Sequence, residues 1–90
     1  MPDINTRVAD LLNQMTLEEK VAQLGSVGPE VLLDSNGEFS VEKAKQAIPN
    51  GIGQVTRIAG ASGLEPEDAA RAANKVQQFI EQHTRLKIPA

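Results

Sequence analysis

The sequence predicts an α/β fold, and its 90 residues read as the beginning of a larger one. Three observations carry this. Ile52, Val55, Thr56 and Ile58 crowd β-favouring residues into a short stretch after Asn50-Gly51. Residues 66–83 hold an apolar stripe at helical spacing, and Leu86, Ile88 and Ala90 alternate like the opening of a further strand. The two strand patterns stand about 34 residues apart, close to the pitch of a βαβ unit. One such unit cannot cover both faces of a parallel sheet. No internal repeat supplies the missing units.

The elements follow in order. Val8, Leu11 and Leu12 lie on one helical face, and Met15 continues it. Thr16-Leu17-Glu18-Glu19 has the form of a capping box and starts a second short helix. Leu17, Val21 and Leu24 form its apolar side, and Gly25 is placed to end it in a left-handed conformation. Gly28-Pro29 is a turn signal. Asn36-Gly37, between Val31–Leu33 and Phe39, suits a hairpin with a type I′ turn. Ser40 caps a helix over residues 41–48, which Pro49-Asn50-Gly51 ends. Pro66 belongs in the first turn of the long helix, where Glu65, Glu67 and Asp68 favour the positive end of its dipole. Ala69, Ala73, Val76, Phe79 and Ile80 make its stripe, and 18 residues span about 27 Å.

Composition excludes several classes of function. Phe39 and Phe79 are the only aromatics, cysteine is absent, and His83 is the single histidine. Disulfides, thiolate metal sites and a His-rich zinc centre are therefore ruled out. A protein of this length buries only about 60–65% of its unfolded surface, so a core poor in aromatics and without staples looks thin. The net charge is −3, with 12 acidic and 9 basic residues scattered along the sequence. That pattern lacks the basic stripe and stacking aromatics of a nucleic-acid binder. No apolar run is long enough for a membrane span. Met1-Pro2-Asp3 lacks the features of a signal peptide, so the expected location is cytoplasmic, or secreted if Met1 is not native.

Three blocks of sequence are recognisable. Arg7 through Leu24 (Arg-Val-Ala-Asp-Leu-Leu-Asn-Gln-Met-Thr-Leu-Glu-Glu-Lys-Val-Ala-Gln-Leu) resembles the opening segment of glycoside hydrolase family 3. Asn50-Gly51-Ile52-Gly53-Gln54-Val55-Thr56-Arg57 resembles that family's first barrel strand. Thr84-Arg85-Leu86-Lys87-Ile88-Pro89-Ala90 is similar to its approach to the second. Lys87 departs from the pattern, since the family commonly has Gly there.

The resemblance implies the N-terminal part of a (β/α)8 TIM-type barrel, mostly helical with one or two strands. Residues 1–50 would be a helical lead-in, and 51–90 the first βα unit and the start of the second strand. It also implies a retaining exo-β-glycosidase that removes terminal β-linked sugars, glucosides or xylosides first. Such chemistry uses two carboxyl groups about 5–5.5 Å apart, a nucleophile and an acid/base. In the family both lie beyond this segment, so the 90 residues alone should be inactive. The implied partners are the rest of the barrel, a second domain and a β-glycoside substrate. No cofactor or metal is implied. The alternative is a non-catalytic α/β interaction module, or a fragment that complements the rest of a barrel.

Among candidate site residues, Arg57 stands first. At the C-terminal end of a barrel strand it would face the active site and bind sugar hydroxyls. The competing reading, favoured because barrel rims are rich in such pairs, is an ion pair that clamps the loop at residues 59–63. Glu18 and Glu19 are explained by capping, Glu65, Glu67 and Asp68 by the helix start, and neither group is assigned catalysis. His83, in the last helical turn, suits a structural or solvated role. Gly51-Ile52-Gly53 lacks the third glycine and the following helix of a phosphate-binding fingerprint, so its glycines suit close backbone packing. The stripe over residues 69–80 reads as a helix covering a barrel strand, in preference to a partner-binding helix.

Overall fold

Helix α1 runs from Ile4 to Gln14, beginning one turn earlier than the periodicity alone indicates. The cause is Asp3, whose carboxylate accepts a hydrogen bond from the Thr6 N–H at 2.8 Å and satisfies an otherwise unpaired first-turn donor. Residues 3–58 and 63–90 are described in this computed structural model. Helix α2, Leu17–Leu24, starts on the expected capping box. The Glu19 N–H donates to Thr16 Oγ1 at 3.2 Å, and the Thr16 N–H donates to Glu19 Oε1 at 2.8 Å.

Gly25 departs from the sequence reading. Its φ of −90° and ψ of 163° are extended, not left-handed, because the backbone passes straight from α2 into strand β1, Ser26–Val27. Nothing in the sequence pattern announces that strand. It pairs in parallel with β2, Gln54–Val55, placing Ser26 opposite Gln54 and Val27 opposite Val55. A strand therefore lies within residues 1–50, and the pattern over Ile52–Ile58 condenses to two paired residues.

The crossover between the strands is built from local signals. A 3-10 turn over Pro29–Val31 follows Gly28, with Pro29 buried. Leu33 and Phe39 then form an antiparallel bridge. The Asp34 N–H donates to the Glu38 carbonyl at 2.8 Å, and the Gly37 N–H to the Asp34 carbonyl at 3.0 Å. Asn36-Gly37 thus turns a hairpin, but of a different type from that expected. Only Gly37 has positive φ (78°), whereas a type I′ turn needs two such residues. The three-residue connection with a left-handed glycine at its end is the other common hairpin solution. Helix α3, Val41–Ala47, is capped by Ser40, which accepts from the Lys43 N–H at 3.2 Å. The Lys43 ammonium reaches back to the Glu30 and Leu33 carbonyls, tying α3 to the turn before it.

Helix α4, Pro66–His83, matches the expected span. Its buried face is Ala69, Ala72, Val76, Phe79 and Ile80; Ala72 sits deeper than the predicted Ala73. This face packs with Leu32, Ala44, Ile48 and Ile52 into the core. Phe39 and Phe79 meet there, ring centroids 6.0 Å apart at 56°. Residues 86–90 do not form the expected strand. The segment is held by side chains instead: Arg85 reaches Glu19, and Gln77 exchanges two 3.0 Å hydrogen bonds with the backbone of Ala90. Lys87, the departure from the family pattern, has φ 58°, a conformation that favours glycine.

The described architecture is four α-helices and a two-stranded parallel sheet, which is α/β in character. The molecule is elongated, with extents of 41 × 25 × 20 Å and a radius of gyration of 14.1 Å. A compact domain of this length would have about 12 Å. No residue of α1 is buried, and Leu24 is 90%, Ile4 73% and Leu17 73% exposed. Val8, Leu11, Leu12 and Val21 are exposed as well. No helix among the described residues is long and apolar enough to cross a membrane.

Candidate functional site

Parallel pairing gives β1 and β2 a common C-terminal edge. The Thr56 N–H donates to the Val27 carbonyl at 2.8 Å, extending the ladder by one bond past β2. The Thr56 hydroxyl donates to the same carbonyl at 3.4 Å. Arg57 comes next, exposed, with φ 50°. A residue other than glycine is uncommon in the left-handed region, and such backbone persists where its surroundings fix it. Thr56 supplies that fixation on one side.

The ion pairs among the described residues are Arg71 with Glu67 and Asp68, and Arg85 with Glu19. Arg57 is in none of them. Residues 59–62 of the loop it was expected to clamp lie outside the described residues. The guanidinium is thus a solvent-facing array of donors, suited to hydroxyls or an anionic oxygen and unable to act as a base. No catalytic function can be assigned to it alone. A groove of about 360 Å³ between the Asn36–Phe39 loop and α4, lined in part by Arg71 and Lys75, does not include Arg57.

The other candidates fall where local structure accounts for them. Glu67 and Asp68 lie in the first turn of α4 and pair with Arg71 at 3.2 and 3.4 Å, while Glu65 occupies the cap position without a side-chain hydrogen bond. His83, exposed in the last turn, stacks on Phe79 at 4.9 Å between centroids. Gly53 lies against the Gln23 carbonyl at the end of α2, the close packing its sequence context suggested. Among the described residues no three His, Asp or Glu side chains gather to hold a metal ion.

Glu19 has a second role that the sequence did not disclose. It is 8% exposed, and its carboxylate accepts from Arg85 Nε at 3.2 Å and from the Arg85 Nη2 group, as well as from Thr16. The same Nη2 group donates to the Gln14 carbonyl at the end of α1. One guanidinium therefore joins the C-terminal segment to both N-terminal helices. Its hydrogen bonds, then the Thr16 N–H, hold the Glu19 carboxyl below its ordinary value of 4.5, against the opposing effect of burial.

The sign of the pH dependence follows. A carboxyl whose pKa is lowered by folding stabilises the folded state above its unfolded pKa, and that contribution fades as pH falls through the lower folded value. At neutral pH, Arg85→Ala should lower the thermal midpoint by about 3 °C, in the range of one partly screened charge pair. The gap between parent and variant should narrow on acidification below pH 4.5, leaving the share that the Gln14 carbonyl contributes. Circular-dichroism melts at several pH values would check this, and a gap that did not narrow in acid would remove Glu19 from the explanation.

The sequence matches no protein-family model and no curated protein.

Proposed function

We propose that this protein is the N-terminal part of a retaining exo-β-glycosidase of the family 3 type, with Arg57 on the substrate side of a (β/α)8 barrel. The observation that carries the reading is the parallel register of Ser26 with Gln54 and Val27 with Val55. Two parallel strands joined through a helix are the repeating unit of such a barrel. Their C-terminal edge, which Arg57 follows, corresponds to the face where barrel enzymes bind substrate. The exposed apolar residues of α1 and α2 support an unfilled contact with further structure. The nucleophile and acid/base of the two-carboxylate mechanism are assigned outside these 90 residues.

The same exposed residues also favour a second reading, in which this segment fills out a barrel supplied by a separate polypeptide. Assay of the complete gene product separates the two. It should hydrolyse an aryl β-glucoside or β-xyloside with retention of configuration, while the 90 residues alone should not. In the active enzyme Arg57→Ala should lower kcat/KM by about 10- to 100-fold, the loss of a charged hydrogen bond. Turnover by the isolated segment, or no glycosidase activity in the complete product, would overturn the reading. Unchanged kinetics with lowered stability would assign Arg57 to the loop.

A further inference from the structure

The Asn36-Gly37 turn carries chemistry that the functional reading does not use. Asparagine followed by glycine can cyclise: the deprotonated backbone nitrogen of the glycine attacks the asparagine Cγ. A new bond forms between that nitrogen and Cγ, the bond from Cγ to Nδ2 breaks, and Nδ2 leaves as ammonia. Water then opens the resulting succinimide to aspartate or isoaspartate. The reaction needs a successor without a side chain, an accessible asparagine and a backbone free to bring nitrogen to Cγ.

Two positions have the required pair, Asn36-Gly37 and Asn50-Gly51, and the fold treats them differently. Both asparagines are exposed, but Gly51 is buried whereas Gly37 is half-buried. Gly51 follows the end of α3, donates to the Ile48 carbonyl at 3.1 Å and adjoins the buried Ile52. Moving its nitrogen disturbs the core. Gly37 donates to the Asp34 carbonyl at 3.0 Å inside an exposed hairpin loop, closed by the isolated Leu33–Phe39 bridge and by local bonds of Asp34, whose carboxylate accepts from the Asn36 and Glu38 N–H groups at 2.9 and 3.0 Å. Opening such a loop requires little of the molecule to unfold. Asn5, Asn13 and Asn74 are in helices, each followed by a residue with a side chain.

We propose that Asn36 is a site of spontaneous deamidation in the folded protein, and that Asn50 is protected by the packing of Gly51. The product puts a further negative charge beside Asp34 and Glu38. As isoaspartate it also lengthens the loop backbone by one carbon and removes the geometry that holds Gly37 on Asp34.

The test is incubation of the protein at mildly alkaline pH, with peptide mapping by mass spectrometry and enzymatic isoaspartate labelling. In the folded protein the peptide holding Asn36 should gain about 1 Da at least about fivefold faster than that holding Asn50. In denaturant the two rates should converge. Conversion of Asn50 as fast as Asn36 in the folded protein would overturn the proposal. So would an Asn36 that reacts only in denaturant, because the Gly37–Asp34 bond would then be protective. In Asn36→Gln the mass gain on that peptide should vanish; if it persists, the site is wrong.

Discussion

Phe79→Ala is expected to destabilise the protein by about 3–5 kcal/mol, the cost of removing a large buried ring from a site that cannot collapse. Phe79 is 3% exposed and sits among Leu32, Ala44, Ile48, Ile52, Val76 and Ile80. It also contacts Phe39 on one side and His83 on another. With two aromatics in the whole sequence, no other ring can fill the space. A domain of this size has about 5–13 kcal/mol in total, so the loss takes a large share of its stability, and at the low end of that range it leaves the variant partly unfolded at room temperature. Phe79→Leu separates volume from aromatic contact and should cost about half as much. Urea titration followed by circular dichroism measures both. A loss under about 1 kcal/mol for the alanine variant would mean that α4 is not seated on this core.

Gly53→Ala is the second large effect, and here the damage comes from adding an atom. A Cβ at position 53 would overlap the Gln23 carbonyl oxygen and crowd the Gly25 carbonyl, both backbone atoms that cannot rotate aside. The Gly53 N–H donates to the Ala22 carbonyl at 3.2 Å, so the overlap also opens the contact that seats α2 beside β2. Relief requires the backbone after α2 to move, and β1 moves with it. A loss of about 3 kcal/mol or more is expected, at the upper end for overpacking because backbone meets backbone. The same titration reads it. A neutral result would show that α2 and β2 are not in contact as described. At Gly63 an added Cβ would meet nothing within 4 Å, so the cost there comes from its left-handed backbone, φ 73°, and not from overlap.

What could be read from the sequence was what a few neighbouring residues decide. Thr16 and Glu19 cap each other across three positions, and Ser40 and Pro66 mark helix starts by their own chemistry. The buried face of α4 was visible because 18 residues average out single exceptions, so exchanging Ala73 for Ala72 left it intact. Strand β1 was hidden for the opposite reason. Two residues flanked by Gly25 and Gly28 carry no periodicity, and their extended form depends on a partner 28 positions away, Ser26 to Gln54. The alternation of Leu86, Ile88 and Ala90 failed as a strand signal because alternation states a preference for two faces and supplies no neighbour. At the candidate site, the position of Arg57 after β2 was legible, and its left-handed backbone was not. The partnership of Glu19 with Arg85 spans 66 residues and has no local signature.

The C-terminal segment gives the two-sided attachment by Arg85 and Gln77 a mechanical meaning. Gln77 presents one donor and one acceptor to Ala90, as a neighbouring peptide group would, while Arg85 fixes the other end on α1 and α2. The stretch between them is short and cannot relax independently of its anchors. Lys87 lies within it, in a backbone region that costs an ordinary residue about 1–2 kcal/mol. The two anchors therefore act as a clamp holding a bent spring: releasing either one lets Lys87 return to a right-handed or extended conformation, and part of the energy of each anchor is spent keeping that residue where it is.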